Sequence, residues 1–158
     1  MVRSAVLILA GALASGGAVA QSLPEMERQT AAIAERYLAV WSSSAWASIE
    51  GVPYVYGPTV RFYGRPYTQR MLEDEKIRAV RRWPVRSYVH RPGTLAVTCN
   101  EDARRCVARS IMDYRVSNPA RGTSARGTAR FDLGVSFEGA RPRILWEGGG
   151  RLGRRDAG

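Results

Sequence analysis

The chain has 158 residues, with 24 Lys and Arg against 14 Asp and Glu, one histidine, and a formal charge of +10. That length suits one domain with a real core. With His90 the only histidine, no spare histidine is available for a Ser-His-Asp nucleophile set. The positive charge is almost entirely arginine, scattered without a basic block or interleaved aromatics, which argues against a nucleic-acid partner.

The chain opens as a leader. Arg3 supplies a positive start, Ala5 to Ala14 is an apolar stretch too short to span a bilayer, and Ala18-Val19-Ala20 is a small-residue cleavage site. Residues 1–20 are therefore expected to be a signal peptide, and the mature chain to begin at Gln21 in the periplasm or outside the cell, without a membrane anchor.

Pro24 with Glu25 and Glu27 suits a helix start. Met26, Thr30, Ile33, Ala34, Tyr37, Leu38 and Trp41 then recur at helical spacing to about Trp41. Ser42 to Ser44 breaks this helix, and a shorter one is expected from Ala45 to Glu50, with Trp46 and Ile49 on one side and Gly51 and Pro53 ending it. Val60 to Tyr63 reads as a strand ended by a turn at Gly64-Arg65-Pro66. Thr68 can cap a third helix, with Glu73, Asp74 and Glu75 early and Arg78, Arg81 and Arg82 late, as the helix dipole favours; Pro84 stops it.

The remainder is β. Val85 to Val89, Leu95 to Cys99, Cys106 to Val116, Arg126 to Phe137 and Arg143 to Glu147 read as strands, and 153–158 as a frayed tail. Cys99 and Cys106 flank a polar loop. In an oxidising compartment a disulfide closing that hairpin is the natural reading, worth roughly 2–3 kcal/mol through loop closure. A metal pair lacks partner ligands, since His90 is the only histidine, and the spacing is not that of a redox C-x-x-C pair. No cofactor motif is present: Gly148 to Gly150 lies in a tail, not between a strand and a helix.

Helices followed by strands argue for an α+β class over one domain, 21–152. The long first helix with Tyr37 and Trp41, the run Phe62-Tyr63-Gly64, the third helix ending at Arg82-Trp83-Pro84 and the closing meander together resemble the NTF2-like superfamily, the SnoaL and ketosteroid-isomerase-like cone, and are most similar to its exported bacterial members. The resemblance spans about Pro24 to Leu152. It implies three N-terminal helices packed in a curved, mostly antiparallel sheet that encloses a pocket. Members include isomerases, dehydratases, polyketide cyclases, transport factors and non-catalytic domains, so the likeness cannot choose a function.

Strand alternation sorts the candidate residues. Ala108, Ser110, Met112, Tyr114 and Val116 share one face with Phe131, Leu133 and Val135 of the next strand, and should line the cone. Asp113 and Asp132 fall on the other face, where cross-strand pairs with Arg109, Arg115 or Arg130 compete with a role as a buried general base. His90, beside Arg91-Pro92-Gly93, reads as a surface or turn residue rather than an acid or base. Glu147 has an ambiguous phase and is left open between pocket and surface. The aromatic-lined cavity implied by the resemblance would draw on Tyr37, Trp41, Tyr63, Trp83, Met112, Tyr114, Phe131 and Trp146, and would take a small apolar or aromatic ligand. An apolar lining without an evident inward acid or base favours a non-catalytic binding or accessory role. The rival is a small isomerase or hydratase with Asp113 or Glu147 as base, and a third class is an interaction module that pairs as a homodimer through its sheet face.

Overall fold

The computed structural model of the protein describes residues 21–43 and 47–152. The expected signal peptide, Trp46 and the tail 153–158 lie outside the described residues. The elements run α1 (Leu23–Ser42), α2 (Ala47–Glu50), α3 (Val52–Val55), β1 (Tyr56–Phe62), β2 (Arg65–Thr68), α4 (Gln69–Arg82), β3 (Val85–His90), β4 (Ala96–Asn100), β5 (Arg105–Asn118), β6 (Thr123–Ser136) and β7 (Arg143–Arg151).

Local chemistry accounts for most of these boundaries. The α1 stripe Met26, Thr30, Ala34, Leu38, Trp41 is buried at the expected spacing. Thr68 caps α4, its hydroxyl accepting from the Met71 N–H at 3.3 Å. Two departures stand out. Pro53 does not end the helical region but starts a second single turn, α3, since proline lacks only an N–H that a first turn leaves free anyway. The expected turn at Gly64-Arg65-Pro66 is instead a tight hairpin at Tyr63-Gly64, both left-handed (φ 47° and 85°), followed by the short edge strand β2. That pair of positive φ values matches strand twist in a two-residue hairpin, and Pro66 is tolerated because β2 is an edge. The helices accordingly do not form one N-terminal block: α4 comes after the β1–β2 hairpin.

The seven strands form one mixed sheet in the order β2-β1-β7-β6-β5-β3, with β4 also paired to β5. β1 and β7 run parallel and the other pairs antiparallel. β5 and β6 pair continuously from Arg105↔Ser136 to Asn118↔Thr123. β3 and β4 lie end to end along β5, and Cys99 sits directly opposite Cys106, where the two form a disulfide. The inner face of β5 and β6 is the alternation set Cys106, Ala108, Phe131, Leu133 and Val135, which joins Met26, Ala34 and Leu38 of α1 and Leu72 of α4 in one buried cluster.

Two polar side chains on that inner face close the helix ends. A helix leaves its last carbonyls without partners. Buried Arg86 of β3 donates to the carbonyls of Trp41 and Ser43 (3.0 Å each) at the end of α1, and to that of Trp83 (2.8 Å) at the end of α4. Asn118 of β5 donates to the Arg82 carbonyl at 3.1 Å. The Ser42 hydroxyl accepts from the Tyr88 N–H at 2.7 Å, tying α1 to β3. Replacing Arg86 with Leu should therefore cost about 3 kcal/mol in urea unfolding, and Arg86→Lys should recover less than half, since one ammonium cannot span three carbonyls. A loss below about 1 kcal/mol for Arg86→Leu would mean that water satisfies these helix ends equally well.

Candidate functional site

The site depends on one irregularity in β7. Ile144 pairs with Val135 and Trp146 with the adjacent residue Gly134, so Leu145 is one extra residue in the strand. Such a bulge reverses the alternation beyond it. Trp146 consequently faces outward. Its indole lies over Gly134 so closely that a Cβ there would meet the ring nitrogen at 1.9 Å, and glycine is the residue that leaves room. Glu147, paired with inward-facing Leu133, turns into the cone and is 4% exposed.

Three elements converge on its carboxylate. Tyr37 of α1 donates to Oε2 at 2.7 Å, and Tyr56 at the start of β1 donates to Oε1. Lys76 of α4 places Nζ 3.1 and 3.2 Å from the two oxygens, and also donates to Tyr37 Oη at 3.1 Å. The ammonium stands 4.0 Å from the Trp41 ring centre and 5.3 Å from that of Phe62. Both charged side chains are 5% exposed. Burial pushes the Lys76 ammonium below its ordinary value, with Glu147 opposing. Burial and then the Glu147 charge push the Tyr37 and Tyr56 phenols well above theirs, so both remain protonated donors at neutral pH.

Lys76 and Glu147 form the polar floor of a cavity of about 170 Å³ between α1, α4 and the sheet. Its walls are Tyr37, Leu38, Trp41, Phe62, Ala79, Tyr88, Met112 and Phe131, with exposed Tyr63 and with Glu75, Asp132 and Gly148 also bordering it. Of the expected pocket residues, Tyr37, Trp41, Tyr63, Met112 and Phe131 line this cavity. Trp83, Tyr114 and Trp146 are not among its walls. Trp83 ends α4, with the Arg82 guanidinium 5.4 Å from its ring centre. Tyr114 is on the inner face but further along β5, its ring over Gly127. Trp146 lines a separate outer groove of about 700 Å³ with Arg61, Arg105 and Val107.

The other ionisable candidates separate cleanly. Asp113 lies on the outer face, half-exposed, paired with Arg91 at 2.9 Å and accepting from Thr128 at 2.8 Å; the Arg91 hydrogen bond holds its carboxyl below the usual range. Asp132 pairs with Arg109 across the β5–β6 ladder at 3.5 Å and also borders the cavity. His90 is not a turn residue. It ends β3 on the inner face, with Nδ1 2.7 Å from Ser110 Oγ and the ring edge-on to Phe131, because the strand continues one residue further than the adjacent turn suggests.

Lys76 and Tyr56 had no place in the sequence reading of the site. Lys76 interrupts the buried stripe Leu72, Lys76, Val80 at a spacing of four, and a charge inside an otherwise apolar stripe is the signal that could have found it. Tyr56 has no such mark.

No family model and no curated protein matches this sequence. Solved structures do. An NTF2-like superfamily protein from Salmonella enterica serovar Typhimurium superposes with a TM-score of 0.70 at 10% identity, over 84% of this chain and 96% of that one. An uncharacterised cystatin-like-fold protein from Caulobacter vibrioides gives 0.64 at 11% identity, over 82% and 89%. The protein Aln2 from a Streptomyces species gives 0.63 at 13% identity, over 82% and 93%. At these identities the likeness is one of fold.

Breaking a buried ion pair on one side strands a charge, whereas removing both charges often costs little. Lys76→Met should lower stability by about 3–5 kcal/mol in denaturant unfolding, and Lys76→Met with Glu147→Gln should regain at least half of that. A single-variant loss within about 1 kcal/mol would show that the pair contributes nothing to the fold.

Proposed function

We propose that this chain, which has the NTF2-like fold, is an exported domain that holds a small aromatic or apolar molecule in the α1–α4 cavity without turning it over. The observation that supports this reading is the state of Glu147. Its carboxylate accepts from two phenols and an ammonium, so its acceptor capacity is taken and its charge is compensated. A general base needs a free lone pair aimed at substrate and a pKa matched to its task. With Lys76 and two phenols on its oxygens, Glu147 has no lone pair free for a substrate proton and forms a polar floor beneath aromatic walls, the usual makeup of a ligand site.

The isomerase or hydratase reading keeps one supporting observation, a buried carboxylate lining a cavity. It requires Lys76 to leave Glu147 when substrate enters, and Asp113 takes no part because its partners hold it on the outer face. Export is supported by the leader pattern of residues 1–20 and by the Cys99–Cys106 disulfide, which belongs to an oxidising compartment. A homodimer through the sheet face would use the outer groove that holds Trp146.

A toluene-sized probe should raise the unfolding temperature, by an amount equal to about 2.7 kcal/mol at a hundredfold excess over Kd. Met112→Trp, which fills the cavity, should abolish that response while the variant still unfolds cooperatively. An unresponsive wild type, or a variant that still responds, contradicts the binding reading. Protein isolated from its own cells should begin at Gln21 and show a ligand-bearing or dimeric species in native mass spectrometry; a start at Met1 would remove export.

A further inference from the structure

Lys76 is the only lysine in the chain; every other basic residue among the 24 Lys and Arg is arginine. Wherever this protein needs a surface cation it uses a guanidinium, and the one exception is 5% exposed on the floor of the cavity. The two groups differ in one chemical respect that matters there: a guanidinium stays protonated in proteins, while a buried amine can give up its proton and become a nucleophile. The surroundings suit that change. Glu147 lies 3.1 Å away as a proton acceptor, Tyr37 touches both Lys76 and Glu147, and desolvation disfavours the charged amine.

We propose that Lys76 captures its ligand covalently, as an imine with a small aromatic aldehyde or ketone. The proposal rests on the ligand-binding reading above and names the ligand class. Once the carbonyl compound has displaced water from the cavity, Lys76 Nζ passes a proton to Glu147 along their 3.1 Å hydrogen bond, since burial disfavours the charged amine. The Nζ lone pair then forms a bond to the carbonyl carbon while the C=O π pair moves to oxygen. That oxygen gains a proton from Glu147, and the nitrogen returns one to the carboxylate, leaving a neutral carbinolamine. Glu147 next protonates the hydroxyl, the C–O bond breaks, and water departs. The sum is ammonium plus carbonyl giving protonated iminium plus water, with no change of charge or oxidation state. Glu147 ends as the carboxylate counter-ion of the iminium, with the Tyr37 and Tyr56 hydroxyls still donating to it. The ligand ring lies against Trp41, Phe62 and Phe131, in a volume of about 170 Å³ that admits one compact ring.

The test incubates the full mature protein with benzaldehyde and sodium cyanoborohydride, followed by intact-mass measurement and peptide mapping. One benzyl group per chain at Lys76 is expected, with labelling slowed by excess toluene. Lys76→Arg should lose the label, and Glu147→Gln should slow labelling roughly 100-fold, the usual range for removing a proton-transfer group. If toluene stabilises the wild type but no label reaches Lys76, or only the N-terminal amine is labelled, the imine is overturned and the binding reading stands. If neither toluene nor benzaldehyde acts on the wild type, both fall. Should Lys76→Arg not fold, the wild-type peptide map and the toluene competition still decide the matter.

Discussion

A carboxylate cannot be left alone inside an apolar cone. Glu147 is 4% exposed, and the rest of the architecture is arranged around compensating it. Its partners come from α1, β1 and α4, three elements that it ties to one point. Apolar packing is non-directional and tolerates sliding. A charge with three donors fixes where each donor element must stop, because any shift leaves a buried group unpaired. The ion pair thus adds little net stability but sets how α1 and α4 sit across the sheet, and it holds the aromatic rings of Tyr37 and Trp41 where they wall the cavity.

The sheet makes that arrangement possible in two ways. The bulge at Leu145 swaps the faces of Trp146 and Glu147, moving the largest side chain of β7 outward and its acid inward. Arg86 and Asn118 then spend polar groups of the inner face on the carbonyl ends of α1 and α4. The polar content of the cone is therefore divided. One part closes the helices at the far end of β3 and β5, and the other forms the floor of a cavity.

Much of the framework was legible in the residues. The α1 stripe, the Thr68 cap, the inner alternation set of β5 and β6 and the disulfide partners follow from periodicity and short-range chemistry, which hold wherever the element ends up. The same alternation puts Asp113 on the outer face, whereas Asp132, though paired with Arg109, still borders the cavity. The hairpin at Tyr63-Gly64 was less visible, because a tyrosine at φ 47° is uncommon and disguises a two-residue turn. The site was least legible. Alternation across β7 fails at a bulge that no residue announces, and so the residues alone put Trp146 inward and leave Glu147 open.

What the sequence determined alone is the set of local periods and caps, since those interactions span at most a few residues. Tertiary structure decided which lone charge met which partner. Lys76, Glu147, Tyr37 and Tyr56 lie as far as 110 residues apart along the chain, and nothing about a lysine in a helical stripe specifies the carboxylate that will receive it. Only the closing of β7 beside β1, with one residue too many at Leu145, brings that carboxylate inside.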